Sequence, residues 1–545
     1  MKKCIGFLLC AVLLFSLCLT GCSQQSAPAA ESTVAENGEF ILRGEGLTPA
    51  AASDNDCRVF YEIFVGSFSD SNGDGVGDLR GIINRMDYLN DGDPDSGLSL
   101  GVEGLWLTPI FESPSYHKYD ISDFYKIDPA FGTTDDLKEL VELCHERGVK
   151  LILDLPINHT SSGNLWFIQF KAAHKSGDTS NPYYDFYTWC TADSRPAGRG
   201  FAQIPGTSDY YECNFWTEMP ELNFDNPAVR EAMLDVARTW LELGVDGFRF
   251  DAAKYIYYGD HSASVDYWIR YMMDLRDINP DVYTVAEVWD PDGITDLYFP
   301  AFNCFNFTVS QVSGLITSAA TGGDVGKYAG YVESYLDRVK SLRADATIVP
   351  FVANHDTDRA AGFLPISNGS MRMAANLYLL GPGSPFIYYG EEIGMKGTRG
   401  SASTDANRRL AMLWGDGDTV KDPEGTTYDP SKQPNGTVAD QLGDGNSLYS
   451  YYKALLMIRR ANPEIASGDY RAVAFEGSKL GGFTSTLDGS TVCVLHNTTS
   501  DPLTVDLSHG TAFSFTEIRA VIGQGGAALE GTMLTLDAQT SVVLK

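Results

Sequence analysis

Short apolar runs, each followed by an amphipathic stretch, constrain this chain of 545 residues more than any other feature. They read "VFYEIFVGSF" from Val59, "GVEGLWLTPI" from Gly101, "VKLILDLPIN" from Val149, "VDGFRFDA" from Val245, "VYTVAEVW" from Val282, "TIVPFVANHD" from Thr347 and "SPFIYYGEE" from Ser384. Runs of this length with few polar residues are strands buried on both faces. "FNCFNF" around Cys304 is a weaker eighth. The stretches between them include "TTDDLKELVELCHERG" and "NPAVREAMLDVARTWLELG". Each starts on a capping-type residue, carries an apolar stripe of helical period and ends in Gly. Eight buried strands alternating with helices predict an α/β fold, a (β/α)8 TIM barrel.

One connection is too long for such a unit. Between Asn158 and Asn223 the chain is rich in Gly, Pro, Ser, Tyr and Trp, and a structureless loop of that size does not suit a compact domain. We assign 54–463 to the barrel, with 159–222 as a subdomain inserted after the third strand. The helix "SLYSYYKALLMIRRANP" closes the alternation. Beyond it, runs such as "STVCVLHN" and "SVVLK" predict an antiparallel β-sandwich domain over 464–545.

The first residues read as an address. Lys2 and Lys3 precede an apolar run from Ile5 to Leu19, which is short for a membrane span and suited to a signal peptide. "LTGC" at 19–22 resembles a bacterial lipobox, which implies lipidation of Cys22 and a signal peptide over 1–22. The small and polar residues after it make 23–53 a flexible tether. The expected location is the extracellular face of the bacterial cytoplasmic membrane, with the membrane met through the lipid only. Past Cys22 remain Cys57, Cys144, Cys190, Cys213, Cys304 and Cys493, with no CxxC pair to suggest zinc. Cys190 and Cys213 could bridge across the insert.

In a barrel, reactive groups sit at the C-terminal ends of the strands. The fourth strand ends "GFRFDAAKY", where Arg249 and Asp251 point the same way because strand side chains alternate. An Arg beside an Asp is expected to lower its pKa, which suits a nucleophile. The fifth strand brings Glu287 to the mouth, the seventh His355 and Asp356, and the third Asp154, Asn158 and His159. Three acids on separate strand ends meet the demand of acetal cleavage. One carboxylate attacks, one protonated carboxyl donates, and a separation of about 5–5.5 Å gives retention. A third carboxylate stabilises the cationic transition state and crowds the acid into keeping its proton.

"LDLPINH", "GFRFDAAK", "EVW" and "VANHD" resemble, in order, the four signature stretches of the α-amylase family, glycoside hydrolase family 13. "GLWLTPI" and "PFIYYGEE" are similar to two further family segments, so the likeness runs from about Val59 to Pro463. The resemblance implies Asp251 as nucleophile, Glu287 as acid/base and Asp356 as transition-state stabiliser. It implies that Arg249, His159 and His355 hold the sugar, that Tyr119 stacks beneath it, that Asp120 binds a hydroxyl and that Lys254 touches a sugar on the leaving-group side.

"DSNGDGVGD" offers oxygens at alternate positions: the side chains of Asp70, Asn72, Asp74 and Asp78 and the carbonyl of Val76. That spacing suits Ca²⁺. Gly81 stands where an EF-hand needs Glu, so the loop is not that motif. It resembles instead the first-strand calcium loop of the oligo-1,6-glucosidase-like branch, which implies a structural ion. Tyr255 replaces a His common after the Lys of the fourth-strand stretch, and no second calcium is expected.

A formal net charge of -32 repels phosphate backbones, so no nucleic-acid partner is expected. The expected substrate is an α-glucan or maltooligosaccharide, cut at α-1,4 bonds by a monomer of α-amylase type. "MPELNF" resembles the "MPDLN" stretch of enzymes between oligo-1,6-glucosidases and neopullulanases, and "RRLAMLW" is a loose match to a glucosidase stretch. An exo-acting α-glucosidase, oligo-1,6-glucosidase or neopullulanase-like enzyme is therefore the alternative. A surface glycan-binding lipoprotein is the non-enzyme alternative, and it would be favoured by loss of one of the three acids.

Overall fold

The computed structural model describes residues 41–43, 57–402 and 404–545. Cys22, the signal peptide and most of the expected tether lie outside the described residues.

Parallel strands form the barrel wall in the order expected: Phe60–Ile63, Gly104–Leu107, Lys150–Leu155, Gly247–Phe250, Tyr283–Ala286 and Asn303–Cys304, with Phe386–Tyr388 pairing back onto the first. The weak "FNCFNF" run takes the sixth position. The seventh, 349–351, joins by single parallel bridges, Phe305 to Val349 and Phe351 to Phe386, which close the ring. Gly247 opens the fourth strand because its neighbour leaves no room; a Cβ there would lie 1.8 Å from the Tyr283 carbonyl oxygen.

Alternation along each strand builds the site from below. Phe60, Trp106, Ile152, Tyr283, Val285, Phe305, Val349, Phe351 and Phe386 form one buried cluster that plugs the barrel. Two residues further along the same inward-facing files come Glu62 after Phe60, Asp154 after Ile152 and Glu287 after Val285. An apolar plug thus passes into a charged rim within one step of the pleat. The larger core packs the outer strand faces against helices. Among these, Thr134–Glu146 has a Thr133–Asp136 capping box, and Pro227–Leu243 has Asn226 as N-cap and Gly244 as a left-handed C-cap.

The insert carries the helix Leu165–Ser176 and a three-stranded antiparallel sheet, Trp189–Thr191, Phe201–Gln203 and Asp209–Glu212. Cys190 faces Tyr210 across this sheet, and all six cysteines among the described residues are free thiols, so the Cys190–Cys213 bridge is not formed.

The C-terminal strands supply five strands of a six-stranded antiparallel sheet and all of a three-stranded one, around a separate core. One edge was not foreseen. Ile41–Arg43 pairs antiparallel with Ile518–Gly523, so the expected tether over 23–53 does not hold at 41–43. Ile41–Arg43 forms the edge strand of that sheet.

Candidate active site

Arg249 is in register with one acid, precedes a second, Asp251, by two residues, and lies across from Val285, two residues before Glu287. It faces Asp154 directly on the neighbouring third strand. Its Nη1 donates to Asp154 at 3.0 and 3.1 Å and to Asp251 Oδ1 at 2.6 Å; Nη2 donates to Glu287 Oε2 at 2.7 Å. One planar guanidinium fork therefore holds Asp251 and Glu287 on adjacent nitrogens, within the span of a single sugar ring. The backbone bends sharply after Asp251: Ala252 adopts φ 48°, and its N–H donates to Glu287 Oε2 at 3.2 Å. A left-handed Ala costs about 1 kcal/mol or more, a strain that clusters at functional sites.

A second chain of contacts supports Asp356. His355 Nδ1 meets Glu62 Oε1 at 2.5 Å, and its Nε2 meets Asp356 Oδ2 at 3.2 Å and the Tyr119 hydroxyl at 2.6 Å. Carboxylates on both sides of the ring favour the imidazolium, whose two N–H groups both donate. The Tyr119 hydroxyl in turn donates to Asp154 Oδ2 at 2.8 Å. Arg409 reaches Asp356 Oδ1 at 2.7 Å and the His355 carbonyl at 3.0 Å.

These contacts set different proton affinities. Burial, reinforced by the negative charges of Asp251 and Asp356 and opposed by Arg249, pushes the Glu287 carboxyl up to about 7. Burial would raise Asp356 too, but His355 and Arg409 outweigh it and hold that carboxyl well below the usual range. For Asp251 burial outweighs Arg249 and the pKa is raised, which corrects the expectation that the arginine would lower it. Burial lowers His355, but Asp356 and Glu62 lift it to about 10. His159 is pushed down to about 4 by burial and is neutral at pH 7. Two carboxyls driven apart, Glu287 up and Asp356 down, are the mark of an acid beside a fixed anion.

A cleft of about 920 Å³ opens above these groups. Asp251, Glu287, Asp356, Tyr119, His159, Lys254 and Arg409 line it. His159 donates from Nε2 to the Tyr119 carbonyl at 3.2 Å, and its buried Nδ1 has no partner, an acceptor left for a ligand hydroxyl. Lys254 is held by the Trp289 carbonyl at 2.8 Å and by Asp290. Phe215, Trp216 and Trp289 present exposed rings to the same space.

Three expected sugar contacts fall elsewhere. Arg249 and His355 are buried beneath the cleft and do not line it; Arg249 gives Nη1 and Nη2 to the acids, its Nε has no partner, and both ring nitrogens of His355 are engaged by Glu62, Asp356 and Tyr119. Asp120 is buried and does not line the cleft; its Oδ1 accepts from the Ser113 hydroxyl at 2.8 Å and from Ser115. Sequence reasoning missed Glu62, Arg409 and the linking role of Asp154. Glu62 lies in a run read only as a strand, and its partner is 293 positions away. Arg409 stands in "RRLAMLW", where its neighbour Arg408 was an equal candidate.

The acidic loop is coiled by its own side chains. Asn72 N donates to Asp70 Oδ1 at 3.1 Å, Asp74 N to Asn72 Oδ1 at 2.9 Å and Val76 N to Asp74 Oδ1 at 2.8 Å. These repeated turns gather Asp70, Asn72 and Asp74 round one bend. Asp78 is used otherwise: Oδ1 caps the helix Leu79–Asn84 through Gly81 N at 2.6 Å, and Oδ2 accepts from Ser71 N and Oγ. Among the described residues no group of three or more His, Cys, Asp or Glu is clustered as for a metal. The oxygen-only donors suit a hard cation in kind. In arrangement the fit rests on Asp70, Asn72, Asp74 and the carbonyl of Val76.

A carboxyl pair bridged by one arginine, with a third acid opposite, at the C-terminal rim of a (β/α)8 barrel defines a glycoside hydrolase. The family description "Alpha amylase, catalytic domain" matches residues 62–468, and the chain belongs to the α-amylase family. "Alpha-amylase 3" of Dictyoglomus thermophilum is 38% identical over 442 residues, covering 81% of this chain and 84% of that one. An oligo-1,6-glucosidase of Parageobacillus thermoglucosidasius is 31% identical over 516 residues, covering 81% and 89%. Among solved structures, Eubacterium rectale Amy13B superposes with a TM-score of 0.83 at 32% identity, covering 92% of this chain and 99% of that one.

Proposed function

We propose that this enzyme is an α-amylase that hydrolyses α-1,4-glucosidic bonds of starch-derived glucans and maltooligosaccharides with retention. The observation that carries the reading is the Arg249 fork, which sets Asp251 and Glu287 about a single point. The Asp251 carboxylate attacks the anomeric carbon while the Glu287 proton passes to the glycosidic oxygen, and the bond between them breaks. The freed chain leaves. Glu287, now a carboxylate, takes a proton from water, whose oxygen displaces Asp251 and restores both groups. Asp356, held anionic by His355 and Arg409, stabilises positive charge at the ring in both steps. Tyr119 offers a ring face to the sugar, and His159 Nδ1 accepts from one of its hydroxyls.

The similarity to an enzyme named α-amylase and the open, aromatic-lined cleft favour long α-1,4 glucans over short exo-substrates. Asp70, Asn72, Asp74 and the Val76 carbonyl form the proposed Ca²⁺ loop, in which the ion is structural; Asp78, the fifth expected ligand, is taken by its helix cap and by Ser71. Lys2, Lys3, the apolar run and "LTGC" support a lipid on Cys22 and action outside the cytoplasmic membrane. The test is product analysis on amylose. A spread of oligosaccharides of the α anomer supports the reading, and glucose as sole product removes the endo-acting assignment.

A further inference from the structure

The insert joins the barrel beside the cleft, and the joint is buried and charged. The chain enters the insert at 158–160 and leaves it at 220–222, and these two stretches pair. His159 bridges Glu221, Thr160 N donates to the Pro220 carbonyl at 3.1 Å, and Leu222 N donates to the Asn158 carbonyl at 3.0 Å. His159 therefore takes its place in the cleft from the segment that carries Glu221.

Glu221 and Glu212 are each 3% exposed. Asn214 spans them: its N–H donates to Glu221 Oε1 at 2.9 Å and its Nδ2 to Glu212 Oε1 at 2.8 Å. Burial and the charge of Glu212 push the Glu221 carboxyl up to about 8, against the pull of Asn214 and Arg199. Arg199 supplies the cation. Its Nη1 lies 3.5 Å from both Glu212 oxygens, while Nη2 crosses to the barrel and donates to the Tyr258 carbonyl at 2.8 Å. One guanidinium fork thus grips the insert with one nitrogen and the barrel with the other.

The same guanidinium begins a line of rings. It lies 5.4 Å from the centroid of Tyr258, and ring centroids then follow at 5.6 Å to Tyr255, 5.1 Å to Phe215 and 5.3 Å to His159. Tyr255, Phe215 and His159 line the cleft, and Arg199 does not. Two routes, one through the paired backbone and one through the rings, therefore lead from this arginine to the imidazole with the free Nδ1. The acids have other supports, because Arg249, His355 and Arg409 all lie outside the insert.

We propose that Arg199 is a positioning residue: by fastening Glu212 of the insert to the Tyr258 carbonyl of the barrel, it sets His159 and Phe215 against the sugar without touching the sugar itself. This deepens the proposed function and rests on it, since it takes His159 to hold the substrate.

Steady-state kinetics on maltoheptaose below the Glu287 value of about 7 test this. Arg199→Ala is expected to raise KM about 3- to 10-fold and to leave kcat within about twofold, the pattern of lost binding. The alkaline limb of kcat/KM is expected to stay at about 7, because Glu287 keeps its own partners. Arg199→Lys, which keeps the charge, is expected to recover part of the loss. In a His159→Ala background, Arg199→Ala is expected to change KM less than about twofold, since both act through one contact. An unchanged KM, a fall in kcat with a displaced alkaline limb, no recovery by lysine, or effects of the two residues that simply add overturns the proposal. If Arg199→Ala does not fold, Arg199→Gln carries the same expectations. Absence of turnover by the native enzyme would sink the proposed function alone; the dissociation constant of maltoheptaose, measured by calorimetry on the native protein and the same variants, would then read the role of Arg199 in place of KM.

Discussion

His355 and Glu62 are 293 positions apart in the chain, yet His355 Nδ1 and Glu62 Oε1 meet at 2.5 Å beneath the cleft. Both side chains are buried, so the pair is shielded from solvent, and Asp356 depends on it. Glu62→Gln removes the charge and keeps the shape. The imidazolium is raised from an ordinary 6.5 to about 10, so its stabilisation is full below about 6.5 and fades as pH rises through about 10. The variant is expected to lose that stabilisation at lower pH than the native protein and to lower kcat about 10-fold or more. Denaturation midpoints from pH 6 to 10 check the first; an unchanged pH dependence would contradict it.

Glu287 must hold its proton to serve as acid. With its carboxyl at about 7, kcat/KM is expected to fall as pH rises through about 7. Asp356→Asn removes one of the charges that raise it. The alkaline limb should then move to lower pH while kcat falls at least about 100-fold. A limb that stays in place would separate Asp356 from Glu287.

Arg409→Ala leaves Asp356 anionic without its guanidinium partner. Breaking a buried pair costs about 3–5 kcal/mol, and Asp356 takes up a proton more readily. The expected result is a loss in kcat of at least about 10-fold that grows as pH falls. Arg409→Lys should recover part of it. Equal activity at all pH values would place Arg409 outside the support of Asp356.

Removal of Ca²⁺ by a chelator is expected to lower the melting temperature, by on the order of 1 °C for each kcal/mol of binding free energy lost in a chain of 545 residues. Asp74→Ala should abolish that response while kcat/KM at a low temperature stays within about twofold. Elemental analysis should find one Ca²⁺ per native chain. No metal and no chelator effect would remove the ion from the loop.

The barrel was legible because its strands announce themselves as apolar runs, and the three acids because each stands at the end of one. "FNCFNF" was faint since Asn303–Cys304 contributes a strand of two residues. The seventh position is backed by single bridges alone, and it was "VANHD" rather than its pairing that drew the eye. What sequence could not reveal was which polar groups would exhaust one another. Asp120 Oδ1 is engaged by Ser113 and Ser115, and Arg249 gives Nη1 and Nη2 to three carboxylates. The charge of Asp251 was misjudged for a related reason: an adjacent Arg is visible in sequence, and depth of burial is not. Partners hundreds of positions apart, such as Glu62 and His355, are fixed only by closure of the ring.

The strand Ile41–Arg43 carries a cost in time. Its partner Ile518–Gly523 follows the whole barrel in the chain, so this strand waits unpaired while the barrel is made. A polypeptide released early would lack that partner and leave an adhesive flank bare. Pairing between segments from opposite sides of the barrel is what seals that flank against sticking to its neighbours.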